Sequence, residues 1–313
     1  MIEASNLSKA YSGVQALKQV SFGVDRGEIF GFIGPDGAGK TTLFRILTTL
    51  LLSDVGEARL DGYDVIRDFR RVRQIVGYMP GQFSLYSDLS VEENLNFFAT
   101  VFGTTIRENY HLIRDIYIQI EPFKKRLAGR LSGGMKQKLA LSCALIHQPA
   151  ILILDEPTTG VDAVSRREFW DLLMGLKKKG ITILVSTPYM DEAGLCDRVA
   201  LIQKGRILAL DRPGSIVKQF NRELFSVRSG SLYNMLKELR KEESTQSVYP
   251  FGRDLHYSSN TKDFGQQQIE ELLLAKGYSD VQVGKIFPGI EDVFMSLMEE
   301  KGTRMDAVKP QNN

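Results

Sequence analysis

Short continuous apolar runs alternate with runs of helical period through the first part of the chain. Glu28 to Ile33 reads as a buried strand, and Lys40 to Leu52, after a glycine-rich break, reads as a helix. Ile151 to Leu154 and Ile181 to Val185 are apolar without alternation, as expected of strands covered on both faces. The order predicts an α/β fold with a mainly parallel central sheet over residues 1–220. Between about Ser84 and Gln148 the strand signal disappears, while Val91 to Phe102 and Arg107 to Ile120 keep the period of helices. That stretch predicts a helical subdomain inserted at residues 84–148.

After Phe220 the pattern changes. Strands are expected at Glu223 to Val227, Ser247 to Phe251, Leu255 to Ser258 and Val281 to Ile286. Helices are expected at Leu232 to Lys241, Lys262 to Lys276 and Ile290 to Glu300. Residues 221–302 therefore predict a small α+β accessory domain, and the polar stretch 303–313 a disordered tail. A length of 313 residues accommodates one large and one small domain.

Composition narrows the partners. Lys plus Arg is 40 against 38 for Asp plus Glu, a net charge of +2, so no nucleic-acid partner is expected. Cys143 and Cys196 stand in apolar helical surroundings without a CxxC and read as reduced core residues. No run approaches the ~18 consecutive apolar residues of a membrane span. The start, MIEASNLSKAY, lacks the apolar stretch of a signal peptide, so a cytoplasmic protein is expected.

Gly34-Pro35-Asp36-Gly37-Ala38-Gly39-Lys40-Thr41-Thr42 follows a strand and opens a helix, in the spacing of a P-loop. Glycines let backbone N–H groups converge on phosphate oxygens, and the helix N-terminus adds positive potential. Lys40 suits the β- and γ-phosphates, and the Thr41 hydroxyl suits Mg²⁺. Leu131-Ser132-Gly133-Gly134-Met135-Lys136-Gln137 opens a second helix and predicts a second anion site. Ile151 to Leu154 then delivers Asp155 and Glu156 at a strand end, the first suited to hold Mg²⁺ through water and the second to polarise water.

These three stretches, in this order, resemble the Walker A, signature and Walker B motifs of ATP-binding cassette ATPases. The resemblance covers roughly residues 1–220. It implies a P-loop ATPase with ATP and Mg²⁺ as ligands. It implies a second ATPase subunit, identical or different, packed head to tail, so that Ser132, Gly133 and Gly134 meet ATP in trans. Tyr11 fits the aromatic that stacks on adenine, although as a bare residue it could equally be core. Asp162 fits the loop that couples the two sites.

Two positions depart from the family. Pro80-Gly81-Gln82 places glycine where related exporters carry the glutamine that senses Mg²⁺, leaving Gln82 one position late as the candidate. Pro188 stands where a histidine would reach the γ-phosphate, and its side chain has neither donor nor acceptor. None of the three histidines, His111, His147 and His256, lies near that loop in sequence; His147 reads as a helix-end residue.

Phe83 to Ser90, Tyr189 to Ala193 and Phe287-Pro288-Gly289-Ile290-Glu291-Asp292-Val293-Phe294 resemble the ATPases of ABC-2 type exporters. The expected protein is thus the ATPase subunit of a multidrug-type or polysaccharide-type exporter, the first favoured. It would sit on the cytoplasmic face of a bacterial inner membrane and drive integral membrane permease subunits. A non-transport cassette ATPase and a slowly hydrolysing regulatory ATP clamp are the alternatives.

Overall fold

A computed structural model describes residues 1–261 and 264–306. In chain order, β1 (Ile2–Tyr11) and β2 (Val14–Val24) form a long hairpin, and β3 (Ile29–Ile33) leads through the glycine loop into α1 (Lys40–Leu47). There follow β4 (Val55–Leu60), β5 (Tyr63–Asp64), α2 (Phe69–Ile75) and β6 (Val76–Met79). The helices α3 (Val91–Val101), α4 (Ile106–Tyr117) and α5 (Gly133–Leu145) come next. They are followed by β7 (Ile151–Asp155), α6 (Ala163–Lys178), β8 (Thr182–Thr187), β9 (Arg198–Gln203) and β10 (Arg206–Asp211).

Among the described residues, a six-stranded sheet runs in the order β10-β9-β3-β8-β7-β6. Its pairings are parallel except β9 with β10. β3 and β7 are buried along their whole length, which is why they read as unbroken apolar runs. Each fully buried Ile, Leu or Phe there contributes about 1.5–3 kcal/mol relative to exposure. The geometry this imposes puts the glycine loop after β3, Asp155 at the end of β7 and Thr187 at the end of β8 along neighbouring carboxyl ends. Loops at such strand ends are where ligands bind in open α/β sheets.

The α-helical insertion is organised by local chemistry. Ser90 and Glu93 form a reciprocal capping box at the start of α3, and Thr105 and Glu108 do the same for α4. α1 is shorter than its apolar pattern suggests, ending at Leu47, and Leu50 and Leu52 are exposed. A second, antiparallel sheet, β2-β1-β4-β5, was not expected. Buried and exposed positions alternate over only part of each strand, at Ile2–Ser5, Val20–Val24 and Ala58–Leu60, since β-bulges interrupt the pairing of β1 with β2 and with β4.

The chain divides into two compact units between Pro213 and Gly214, ahead of the expected boundary at Phe220. Pro213 follows β10 and opens α7 (Pro213–Lys218), a position where its fixed φ and missing N–H suit a helix start. The second unit continues with β11 (Leu224–Arg228), α8 (Leu232–Leu239), β12 (Thr245–Phe251), β13 (Asp254–Ser259), α9 (Gln266–Ala275), β14 (Gln282–Ile286) and α10 (Ile290–Asp306). Its described strands pair antiparallel in the order β12-β13-β11-β14. α9 starts later than Lys262, which with Asp263 lies outside the described residues. α10 continues to Asp306, so residues 303–306 of the expected tail are helical; residues 307–313 lie outside the described residues.

The Phe287 to Phe294 stretch has a structural task in this unit. Asp292 is buried, and its Oδ1 accepts from the Tyr249 hydroxyl at 2.6 Å and lies 2.6 Å from His256 Nδ1. Gly289 N–H donates to Oδ2 at 2.6 Å. Burial works against the charged form, yet the bonds from His256, Tyr249 and Gly289 outweigh it and hold the carboxyl below its ordinary range.

Each unit carries its own apolar core, Phe32, Phe44 and Ile153 among the residues of the first and Val227, Tyr257 and Leu273 among those of the second. A chain ending at Pro213 is therefore expected to unfold in one cooperative thermal transition followed by circular dichroism. A broad, non-cooperative melt would show that the two cores depend on each other.

Candidate functional site

A cavity of about 250 Å³ is lined by Tyr11, Ala16, Gly37 to Thr42 and Glu156. It brings the predicted aromatic, the glycine loop and the predicted catalytic carboxylate to one place from three distant parts of the chain. Gly39 stands just before α1 at φ 107°, and a side-chain carbon there would lie 2.5 Å from the Ala16 carbonyl oxygen. Only glycine combines that backbone with that approach. Tyr11 is exposed, which suits an aromatic face presented to a ligand better than a core residue.

Lys40 is buried, and its Nζ donates to the Gly34 carbonyl at 2.7 Å and the Pro35 carbonyl at 3.1 Å. The same ammonium lies 3.0 Å from Glu156 Oε1. These oxygens occupy the ammonium as phosphate oxygens would. Glu156 sits at φ 50°, an uncommon conformation for a residue with a Cβ. It is held there by Ser186, whose carbonyl and hydroxyl both accept from the Glu156 N–H at 3.0 Å. Backbone strain at a reacting position persists when its surroundings over-determine it. Ser186 Oγ also donates to Asp155 Oδ1 at 2.6 Å, and Asp155 is 1% exposed.

Ser186 is a site residue that sequence reasoning missed. Its signal was a hydroxyl directly after the apolar run Ile183 to Val185, which costs free energy to bury without partners.

The oxygen set suits Mg²⁺. That ion keeps several waters and takes one or two protein oxygens alongside substrate phosphates. Thr41 lines the cavity, and Asp155 ends β7 one residue before Glu156, which lines it as well; the two supply oxygens of the type such a set needs. Gln82 is exposed and does not line the cavity. At Gly81 a side-chain carbon would lie 3.1 Å from the Asp155 carbonyl oxygen and 3.8 Å from Glu156 Cβ.

Ser132 caps α5, its hydroxyl accepting from Met135 N–H at 3.4 Å, with Gly133 and Gly134 in the first turn. None of the three lines the cavity with the glycine loop of the same chain. Asp162 caps α6 through bonds from Val164 and Ser165 N–H at 3.1 and 3.0 Å. The Ser165 N–H, together with the Ser165 hydroxyl, holds the Asp162 carboxyl below its usual range.

Comparison with known proteins agrees with this geometry. Residues 17–159 match the ABC transporter family. The Nod factor export ATP-binding protein I of Sinorhizobium fredii is 34% identical over 301 residues, covering 95% of this chain and 85% of that protein. The chain belongs to the ATP-binding cassette family. The probable multidrug ABC transporter ATP-binding protein YbhF of Escherichia coli is 42% identical over 221 residues, which is 70% of this chain but 38% of YbhF. The chain thus matches well under half of that relative's length. A solved ATP-binding subunit of an ABC transporter superposes with a TM-score of 0.64 at 30% identity, covering 70% of this chain and 93% of that one. Both of these relatives are named as ATP-binding proteins of transport systems, one of multidrug transport and one of Nod factor export.

The segment after β8 carries Pro188, the position where the resemblance led to the expectation of a histidine. Thr187 is buried, its carbonyl accepts from Gly34 N–H at 3.2 Å, and its hydroxyl accepts from Tyr189 N–H at 3.0 Å. Pro188 is pinned between these contacts, one residue from the glycine loop's anchor.

A second concavity of about 400 Å³ opens where the helical insertion meets the sheet, lined by Leu50, Val72, Leu85, Phe98 and Phe102 among others. His147, just past α5, forms one wall; its ring stacks on Phe102 at 3.8 Å and its Nε2 lies 3.1 Å from the Val76 carbonyl. Burial pushes its pKa below the ordinary histidine value. Cys143 and Cys196 are buried and unpaired, and burial pushes both thiols far up. Among the described residues no helix is long and apolar enough to cross a membrane.

Proposed function

We propose that this cassette protein is the ATP-hydrolysing subunit of an ABC-2 type exporter of the multidrug class. The observation that carries the reading is the single cavity shared by Tyr11, the glycine loop and Glu156. The adenine stacks on Tyr11. The phosphates enter the loop Gly34 to Thr42 and displace Glu156 and the Gly34 and Pro35 carbonyls from Lys40. Freed from the ammonium, Glu156 polarises the attacking water. Asp155 and Thr41 would hold Mg²⁺, which would neutralise developing charge on the phosphates.

The second nucleotide contact, Ser132 to Gly134, comes from a partner subunit, and Asp162 communicates between the two sites. The 400 Å³ apolar concavity beside the helical insertion is the surface offered to a cytoplasmic helix of the permease. On this reading the protein sits on the cytoplasmic face of the membrane. Its relatives' roles in multidrug transport and Nod factor export support the exporter class. The test is purification from membranes with identification of the companion chains. An integral membrane partner supports the reading, and a ribosomal or nucleic-acid partner overturns it.

Pro188 sets the rate. Losing one donor to a developing oxyanion typically costs ~10²–10³ in rate. Glu156, Lys40, Thr41 and Asp155 remain, so basal hydrolysis should be slow but measurable. Pro188→His is expected to raise turnover by roughly tenfold or more, within the range of one restored donor. Phosphate release at saturating ATP checks it. Turnover at or below wild type, with ATP affinity unchanged, would leave the segment without a phosphate-contacting role. A wild type that binds ATP tightly but does not turn over would instead make the protein a regulatory ATP clamp.

A further inference from the structure

The first two turns of α6 touch two parts of the molecule that, in the dimeric reading above, act at different nucleotides. On one side they pack on the signature. A side-chain carbon added to Gly134 would lie 2.8 Å from Ser165 Oγ and 3.0 Å from its Cβ. One turn on, Lys138 of α5 donates to Glu168 Oε2 at 2.7 Å. Any displacement of the signature end of α5 therefore meets α6 directly.

On the other side, Arg166 grips the segment that follows Pro188. Its guanidinium centre lies 4.6 Å from the centroid of the Tyr189 ring. Nη2 donates to Asp191 Oδ2 at 2.7 Å, and Nε lies 3.6 Å from Glu192 Oε1. The Asp191 side chain is 66% exposed, so that pair is screened and adds little. Glu192 is different. It is 2% exposed, its Oε1 accepts the Thr158 hydroxyl at 2.8 Å, and its Oε2 is buried without a hydrogen-bond partner. The Arg166 guanidinium sits beside this buried carboxyl, the side of it that the Thr158 hydroxyl also faces. Thr158 lies two residues past Glu156, and the hydroxyl of its neighbour Thr159 donates to Glu156 Oε2 at 3.5 Å, so the grip on Thr158 bears on the turn that carries the catalytic carboxylate. A planar guanidinium can stack on a ring while its edge faces two carboxylates; an ammonium cannot.

We propose that Arg166 is a positioning residue that couples the two nucleotide sites. By clamping Tyr189 and Glu192 to α6, it carries movement of the signature, set by one nucleotide, to Thr158 and Glu156 at the other. The proposal rests on the ATPase reading above. It assigns to this cluster the coherence that a histidine at position 188 does not supply.

The experiment uses the full chain. Trp170 is the chain's one tryptophan, lies one turn from Arg166 on α6 and is 3% exposed, so its emission reports on that helix. Wild type, Arg166→Ala and Arg166→Lys are compared for kcat, ATP Kd by equilibrium dialysis, the Hill coefficient for ATP, and Trp170 emission. Arg166→Ala is expected to lose roughly 10- to 100-fold in kcat, the scale of a small misplacement of a reacting group, with Kd within about twofold. The Hill coefficient should fall from about 2 towards about 1, and the ATP-induced change in Trp170 emission should vanish. Arg166→Lys keeps the charge beside Glu192 and should recover part of kcat.

A purely structural role would lower the melting temperature while leaving kcat and the Hill coefficient of the folded protein unchanged, and that result overturns the proposal. If Arg166→Ala does not fold, Arg166→Lys decides: a kcat deficit at unchanged Kd supports the proposal, and wild-type kcat overturns it. A wild type without nucleotide-dependent turnover overturns the ATPase reading and this proposal with it. A wild type that turns over beside an unaffected Arg166→Ala overturns this proposal alone.

Discussion

Glu156→Gln should lower turnover by about 10²–10⁴, the range for loss of a general base, while ATP binding persists. The geometry makes this substitution clean. The backbone at position 156 is fixed at φ 50° by two bonds from its N–H to Ser186, and neither involves the side chain. The glutamine amide has nearly the same shape, and its oxygen can still accept from Lys40. What it loses is the charge that polarises water. With hydrolysis blocked, the ATP-bound dimer should accumulate and elute at twice the monomer mass in gel filtration with ATP. Wild-type turnover in the variant would remove Glu156 from the chemistry. Loss of ATP binding would trace the defect to folding instead.

Lys40→Ala should abolish the rise in melting temperature that Mg-ATP produces in the wild type. A ligand at about 100 times its Kd stabilises by ~2.7 kcal/mol, which for a protein of this size is a shift on the order of 5 °C. Lys40 supplies the loop's ammonium from a buried position, where the effective dielectric is low and one charge facing several phosphate oxygens counts for more than at a surface. The apo fold should survive, because the Glu156 carboxylate is partly exposed and can hydrate once its partner is gone. Thermal shift with and without Mg-ATP measures both effects. A shift equal to wild type would mean that the glycine loop is not the main binding site.

Both predictions began in the amino-acid sequence. The glycine loop, the Ser-Gly-Gly helix start and the Asp-Glu strand end were legible because each is a local event. Spacing of Gly37, Gly39 and Lys40 sets a backbone path, a Ser132 side chain caps the next turn, and an apolar run ends in charge where a buried strand meets water. The helical insertion was legible for the same reason, through its period and its Ser90–Glu93 and Thr105–Glu108 boxes. The division into two units was visible as a change of pattern near residue 220, while its place at Pro213 depended on which residues share a core.

What tertiary structure alone decided are the contacts between residues far apart in the chain. The N-terminal antiparallel sheet pairs β1 with β4 across a bulge between Ser5 and Ser8 that cuts the alternation short. Ser186 meets Asp155 and Glu156 because β7 and β8 are neighbours in parallel register, a pairing that no single strand encodes. Lys40 meets Glu156, Arg166 meets Tyr189 and Glu192, and His256 meets Asp292 by the same route. A motif is written in covalent spacing and survives any packing that leaves the backbone intact. An ion pair or a shared hydroxyl exists only where the burial of apolar surface has already brought its two elements together.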